Sequence, residues 1–328
     1  MAQPRISRHC TFSVVACAIV SAVAGCASPD KSTGGDCTAG ALCMTDNPGA
    51  CATGHTVCTG GKATCVSDVT EQPCYTGEPA TRHIGACHDG TQSCVGTLGT
   101  CTDQVLPKQQ EDCFNNVDDD CDRDVNNGCP TALSLGDPDP LLARGGAGGN
   151  PVSTLCPSGA VVTGVQVQLS AVNASPGYVV SVQPSCAVPQ LVRGTKDYSV
   201  AMTSVTGPML MGGSDAARPG SAHITCAAGG LAAAGTRGSV LAGDRTVIES
   251  LGINCSTAAL AFDDATNQLS LAFTHDDADS GSASVQVNGT PWDDSCGAGE
   301  LLIGFQGRTG AQMDQLQGVC APVIVTYQ

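Results

Sequence analysis

The chain has 328 residues and a formal net charge of -16, with 30 acidic residues against 14 Lys and Arg. A surface of this sign repels the phosphates of nucleic acids, so the charge argues against nucleic-acid binding. Aromatic residues make up only 3% of the chain, whereas Gly numbers 41 and Cys 21. The Cys-rich half can therefore bury little apolar surface, and cross-links must supply much of its stability.

Residues 1–26 have the order of a secretory signal. Arg5 and Arg8 precede an uncharged stretch over residues 10–24, which is short of the roughly 20 residues that a membrane helix needs. Its end, Val-Ala-Gly-Cys26, resembles a bacterial lipobox, and this resemblance implies that Cys26 is lipidated and becomes the first residue. A plain signal-peptidase site, at which Cys26 is incidental, is the alternative. Ala27 after the Cys implies the outer membrane.

Residues 27–36 are small and polar, and they suit a flexible tether. The predicted location is the cell envelope, as an outer-membrane lipoprotein or on the cell surface, with the membrane as a partner through the lipid on Cys26. The Cys count supports export, because twelve Cys lie in residues 37–129 and six in residues 151–328. Both counts are even, as complete disulfide pairing in an oxidising compartment requires.

Residues 37–129 contain two copies of one Cys-rich motif. Cys51–Cys65 and Cys87–Cys101 both read Cys-x6-Cys-x6-Cys, with Gly three residues after the first Cys and Thr before the last. Equal spacing predicts small tandem modules, each stacked on or linked to the next. Neither copy has helical periodicity, so we expect short strands and Gly turns held by disulfides.

Between Cys113 and Cys129, acidic residues recur at alternate positions. This spacing lets their oxygens converge on one side of an extended loop, as a hard cation such as Ca2+ requires. The alternative is a solvated acidic turn between two disulfides, and Arg123 stands where an EF-hand loop has Gly. The predicted Ca2+ ligands are Asn116, Asp118, Asp120, Asp122 and Asp124.

The segment from Cys74 through Cys121 resembles the Cys-rich metal-binding repeats of exported bacterial proteins, which are related to a copper-binding surface protein of methanotrophs. The residues that carry the resemblance include Gly90-Thr-Gln-Ser-Cys94 and Asp118-Asp-Asp-Cys121-Asp. It implies a metal-binding surface module. Copper itself is poorly supported, because it prefers imidazole or sulfur ligands, whereas the acidic segment offers oxygen.

Residues 130–150 are rich in Pro and Gly and lack Cys, which predicts a linker before a domain over residues 151–328. This domain repeats, because Cys156, Cys226 and Cys296 are spaced 70 residues apart and each has a closing partner, Cys186, Cys255 or Cys320. Alternating apolar residues and Gly turns predict an antiparallel sheet in each repeat. Three such sheets about an axis would close the fold.

The Gly-rich segment 145–150 and the segment Gly304–Leu316, which reads Gly-Arg-x-Gly-x-x-x-Asp-x-Leu from Gly307, resemble β-prism domains of the jacalin and vitelline-membrane-outer-layer kind. The resemblance implies a three-fold pseudo-symmetric β-prism, for which a β-sandwich is the alternative fold. It also implies a carbohydrate site at Gly146, Gly310 and Asp314. A disulfide inside each repeat, between its opening and closing Cys, would tie the first strand to the last.

The function predicted from these features is that of a surface-anchored, non-catalytic binding module with a Ca2+ loop and a lectin-like β domain. The expected partner is a glycan or an envelope protein. Two alternatives stay open: a structural envelope protein without a small ligand, and an extracellular metal-binding protein. No Gly-x-Ser-x-Gly elbow, phosphate loop or zinc-type His pair points to an enzyme.

Overall fold

The structure, a computed structural model, describes residues 37–170, 177–213, 220–226, 232–243, 246–276, 282–283 and 288–328. The signal segment 1–26 with Cys26 and the tether 27–36 lie outside these residues. Within the described ranges, no helix is both long and apolar enough to cross a membrane. The chain divides into two compact units, one of residues 37–70 with 94–98 and the other of residues 71–93 with 99–328.

The first unit is a small antiparallel sheet of strands β1 (Leu42–Met44), β2 (Thr53–Thr59) and β3 (Lys62–Ser67), with a 3-10 helix at Gly49–Ala52. Gly60 and Gly61 join β2 to β3 with φ of 60° and 79°, and a type I′ hairpin turn requires positive values at both positions. Three disulfides hold this unit: Cys37–Cys58, Cys43–Cys65 and Cys51–Cys94. The first Cys of one sequence repeat thus pairs with the middle Cys of the next.

The second unit begins with a two-stranded sheet of β4 (Glu71–Cys74) and β5 (Gly90–Ser93), between which lies a 3-10 helix at Pro79–Thr81. Three further disulfides cross-link residues 71–129: Cys74–Cys101, Cys87–Cys121 and Cys113–Cys129.

The rest of the second unit consists of three antiparallel sheets. The strands of residues 130–213 are β6 (Pro130–Leu135), β7 (Asp139–Pro140), β8 (Arg144–Gly145), β9 (Asn150–Leu155), β10 (Val161–Leu169), β11 (Val179–Arg193), β12 (Tyr198–Val205) and β13 (Met211–Gly212). Those of residues 220–328 are β14 (Gly220–Thr225), β15 (Ala232–Leu241), β16 (Val247–Asp263), β17 (Gln268–Asp276), β18 (Ser282–Ala283), β19 (Thr290–Ser295), β20 (Glu300–Thr309) and β21 (Met313–Tyr327).

The three sheets share one topology, with orders β12-β11-β10-β14, β17-β16-β15-β19 and β6-β21-β20-β9. One buried cluster draws on all three, through residues such as Val165, Leu251 and Phe305. Three sheets about a common core make a β-prism. This confirms the prediction of a three-fold antiparallel β domain and excludes the sandwich, which has two facing sheets. Residues 130–150, expected to be a linker, contribute β6, β7 and β8 to the third sheet.

A glycine at a β-bulge marks the same position in each repeat. The register shifts next to Gly164, Gly235 and Gly304. At each of these positions the backbone of the neighbouring edge strand approaches so closely that a Cβ would lie 2.8 Å from the Ile224 carbonyl oxygen in the first repeat and 2.5 Å from that of Thr154 in the third. Glycine is therefore required sterically, which explains its recurrence after each opening Cys.

Disulfides Cys156–Cys186, Cys226–Cys255 and Cys296–Cys320 lie in the three repeats. Beyond the closing Cys of each repeat, β11, β16 and β21 continue and pair with β12, β17 and β6. These three two-stranded extensions enclose a smaller core that includes Met202, Phe273 and Val323. The domain is therefore a prism prolonged at one end by three hairpin-like arms.

Candidate functional site

Two loops meet at the end of the prism opposite these arms. Gly145, in the Gly-rich segment, pairs with Gln315, and the Gly146 amide donates a hydrogen bond of 2.8 Å to the Asp314 carbonyl oxygen. Arg308 fixes the same segment, because its Nε and Nη2 donate to the carbonyl oxygens of Gly148 and Gly149 at 2.9 and 2.7 Å. The structure therefore brings Gly146 and Asp314 together.

The Asp314 carboxylate lies against the glycine loop. A Cβ on Gly148 would lie 2.9 Å from Oδ1, and one on Gly149 would lie 2.6 Å from Oδ2. Gly310, the third predicted residue, is on the other side, where its Cβ would lie 3.2 Å from Oδ2. A side chain at any of these three positions would press on the carboxylate, and at Gly149 the Thr309 backbone, 2.4 Å from the Cβ position, requires glycine.

Asp314 Oδ2 is a buried acceptor, and no donor among the described residues bonds to it. Burying a charged oxygen without a donor costs free energy, so this atom is an acceptor that a ligand hydroxyl or amine would satisfy. The glycine loop and the carboxylate together offer backbone amides, carbonyl oxygens and a negative charge in one small area. That set of groups suits a ligand rich in hydroxyls.

Asp314 occupies a bulge position that recurs in all three repeats. It falls between the paired residues Thr309–Met313 and Arg308–Gln315, and therefore has no partner across the hairpin. The same register shift leaves Val180 unpaired in the first repeat and Glu249 in the second. The three repeats thus place Val, Glu and Asp at equivalent points.

The Glu249 carboxylate differs from that of Asp314 in being fully satisfied. Glu249 is completely buried, and its Oε1 accepts from the Asn288 amide at 2.8 Å. Its Oε2 accepts from the Gly289 amide and the Ser239 hydroxyl, each at 2.8 Å. Because Val180 has no polar group and Glu249 is saturated internally, only the third repeat keeps a free acceptor at this position.

A second candidate site is an acidic cluster in residues 111–126. One carboxylate oxygen each from Glu111, Asp118 and Asp120 lies within 4.8 Å of the others. It is the one group of three or more potential metal-ligating side chains among the described residues at this distance. Its ligand atoms are all oxygens, which suit Ca2+ rather than copper.

Glu111 organises this cluster, although the sequence analysis did not select it. The residue is buried, and its Oε1 accepts from the amides of Asp119 and Asp120 at 2.7 and 2.9 Å. Its Oε2 accepts from the Asn126 amide at 2.8 Å. The signal that could have located it is its position, two residues before Cys113 within the segment that resembles metal-binding repeats.

The other three predicted Ca2+ ligands, Asn116, Asp122 and Asp124, lie outside the cluster. Asn116 Oδ1 accepts from Arg193 Nη2 at 2.9 Å, so this side chain is directed at the prism. Asp122 Oδ1 accepts from the amide of Asp124 at 2.8 Å, and both side chains are exposed. Of the five predicted ligands, the structure brings together Asp118 and Asp120 within the cluster.

Electrostatics divide the acidic residues of this loop. Burial, followed by repulsion from Asp122, raises the pKa of the Asp120 carboxyl, as expected where like charges converge. Burial also acts to raise the pKa of Asp119, but hydrogen bonds from Lys108 and Asn115 outweigh it and hold that pKa below its ordinary value. The charge of Asp119 is thus paired with that of Lys108, whereas Asp120 lies near the like charge of Asp122.

The chain is similar to solved lectins. A mannose-specific jacalin-related lectin from Morus nigra in complex with mannose is 15% identical at a TM-score of 0.37, over 57% of this chain and 96% of that one. Calystegia sepium agglutinin is 14% identical at 0.34, over 60% and 99%. A mannose-binding jacalin-related lectin from Ananas comosus is 15% identical at 0.33, over 56% and 98%. No family model and no curated protein matches the chain.

Proposed function

We propose that this protein is a non-catalytic, saccharide-binding module of the bacterial cell envelope. The observation that carries the proposal is the unpartnered oxygen of Asp314 beside the glycine loop of residues 145–150. A sugar hydroxyl would donate to that oxygen, and neighbouring hydroxyls would contact the loop backbone. Mannose, to which the Morus nigra lectin is bound, is the first saccharide to test.

The test is a glycan array followed by calorimetric titration of any saccharide that binds. Asp314→Ala should weaken binding by at least about tenfold, the factor that corresponds to loss of one good charge-assisted hydrogen bond. Asp139→Ala removes an exposed carboxylate from the same sheet and should leave binding unchanged. An array without a single binder would contradict the proposal and favour the structural envelope protein.

We also propose that the cluster of Glu111, Asp118 and Asp120 binds Ca2+, supported by the convergence of their oxygens. Three carboxylates are too few alone for the roughly six to eight oxygens that Ca2+ takes, so backbone carbonyls and water would complete the shell. Titration of Ca2+ into the metal-stripped mature protein should give saturable heat that Asp120→Asn diminishes. Equal heat from the variant would contradict this assignment.

The mature protein, we propose, is held on the outer membrane by lipid on Cys26. The lipobox-like sequence before this residue supports the assignment. Metabolic labelling with palmitate should mark the wild-type protein, and Cys26→Ser should abolish the label. Labelling that survives the substitution would contradict it.

A further inference from the structure

A groove of about 800 Å3 lies far from Asp314, where the segment 108–114 meets the turns of the β11–β12 and β16–β17 arms. Its volume falls within the roughly 300–1,000 Å3 of small-ligand sites, which occur preferentially where separate structural modules meet. Strand β21 begins next to Asp314 and ends at Tyr327. Tyr327 lies near the groove but outside its lining, and its hydroxyl accepts from the Leu269 amide at 3.0 Å. The groove and Asp314 are therefore near opposite ends of a strand roughly 45 Å long.

The walls of the groove are fixed by contacts that do not depend on a ligand. Gln110 Nε2 donates to the Ala265 carbonyl oxygen at 2.6 Å, and Asn267 Nδ2 donates to that of Glu111 at 3.0 Å. Arg193 Nη1 donates to the Cys113 carbonyl oxygen at 2.9 Å. Because these bonds hold the segment on both arms, the groove is formed before any ligand arrives, which lowers the cost of binding.

Aromatic surface lines one side of the groove. Phe114 and Phe262 both contribute to the lining and pack edge to face, with ring centroids 5.2 Å apart. Both rings are only partly buried. A partly exposed aromatic ring offers a flat apolar surface, and the C–H face of a sugar ring can pack against such a surface.

The polar groups of the groove carry both signs of charge. Gln110 Oε1 is buried and accepts from no donor among the residues that the structure describes. Lys196, Asp112 and Asp264 are exposed at the rim. Lys108 is paired with Asp119 at 2.8 Å, and the buried Glu111 carboxylate accepts from backbone amides. Mixed charges with an amide acceptor favour an uncharged ligand that both donates and accepts hydrogen bonds.

We propose that this groove is a second saccharide site, which takes a short neutral oligosaccharide. Phe114 and Phe262 supply the stacking surface, and Gln110 Oε1 accepts from a hydroxyl. The site does not depend on Asp314 and goes beyond the function proposed above. Occupation of both sites would let one molecule bridge two glycans at opposite ends of the domain.

The experiment is saturation-transfer NMR on the full mature protein with four trisaccharides: mannotriose, maltotriose, cellotriose and chitotriose. Thr195→Trp places a large ring at the rim of the groove, and Thr195 is exposed, so the variant should fold. Ser199→Trp adds the same ring to an exposed position of the same arm, outside the lining. Melting curves of both variants establish that the fold is intact.

At least one trisaccharide should bind to Asp314→Ala, in which the glycine-loop site is impaired. Adding Thr195→Trp to that variant should weaken this binding about tenfold or more, whereas adding Ser199→Trp should leave it unchanged. Equal binding by the two double variants, or no binding of any of the four trisaccharides to Asp314→Ala, would contradict the groove site. Wild-type binding that disappears in Asp314→Ala would leave the glycine-loop site standing without the groove site.

Discussion

The side chains of Asp314 and Glu249 differ by one methylene group. Because of this difference, Glu249 is hydrogen-bonded within the chain, whereas one oxygen of Asp314 has no donor. The longer side chain of Glu249 reaches the amides of Asn288 and Gly289. The shorter Asp314 leaves Oδ2 without a donor beside the equivalent loop. Among the described residues, the third repeat alone keeps an acceptor without a donor at this bulge.

Replacement of Glu249 by Ala should lower the free energy of unfolding by about 3 kcal/mol, because the amides of Asn288 and Gly289 and the Ser239 hydroxyl lose the buried carboxylate that accepts from them. Chemical denaturation followed by far-ultraviolet circular dichroism measures the change. Glu71→Ala, which removes an exposed carboxylate, is the control and should have little effect. Equal stability of the two variants would show that Glu249 is dispensable.

Tyr198 has a buried hydroxyl that bonds to no described residue. Tyr198→Phe should therefore increase the free energy of unfolding by about 1 kcal/mol at neutral pH. Burial raises the pKa of Tyr198 above its ordinary 10.0, so in the wild type the unfolded chain loses this proton first as the pH rises. The free energy of unfolding of the variant should therefore exceed that of the wild type by a larger margin above pH 10, as measured by denaturation across pH 7 to 11. A constant margin would argue against the burial effect.

At the scale of elements, each repeat joins a bulged hairpin to a short edge strand through a disulfide. Cys226 follows edge strand β14, whereas Cys255 lies within β16 of the next sheet. The bond therefore links two of the three sheets rather than two strands of one. This arrangement helps a core with few aromatic residues to keep the sheets together.

Replacing Cys226 and Cys255 together by Ala should lower the free energy of unfolding by about 3 to 4 kcal/mol. Without the bond, which spans 29 residues, the unfolded chain gains conformational entropy. The expected result is a lower Tm in thermal denaturation. The matched control replaces Cys37 and Cys58, which belong to the first unit, and should leave the melting of the β-prism unchanged. A prism Tm unaffected by loss of Cys226–Cys255 would contradict the prediction.

At the scale of the second unit, the acidic segment is part of the same packed body as the prism. Phe114, Tyr198 and Phe262 come from the segment and from two different arms, and their ring centroids lie 5.2 to 5.3 Å apart. This cluster, with the hydrogen bonds of Arg193 and Asn267, holds the cation-site candidate and the prism in a fixed relation.

Phe114→Ala should lower the free energy of unfolding by about 2 kcal/mol, because this partly buried ring loses its packing against Tyr198 and Phe262. We also expect faster cleavage of residues 108–129 in limited proteolysis, because the segment loses its anchor on the arms. Val117→Ala shortens an exposed side chain of the same segment and should change neither stability nor cleavage. Equal cleavage of the two variants would indicate that hydrogen bonds alone hold the segment.

Sequence periodicity was sufficient to predict the three sheets. Cys156, Cys226 and Cys296 recur every 70 residues, and the bulge residue stands six positions before each closing Cys. Local patterns of this kind persist because each repeat must bury the same face and make the same turn. The same spacing would have aligned Glu249 with Asp314, although the sequence analysis did not compare them.

The tertiary structure alone decided which acceptors are free and which residues form the acidic cluster. Glu111 joins Asp118 and Asp120 because the disulfide-linked chain folds back on itself, and Asn116 turns away to Arg193. Likewise, the Arg308 contacts and the groove beside Phe262 depend on segments roughly 150 residues apart meeting in space. Alternation and spacing report on local geometry, whereas these contacts arise from packing between elements that no local pattern encodes.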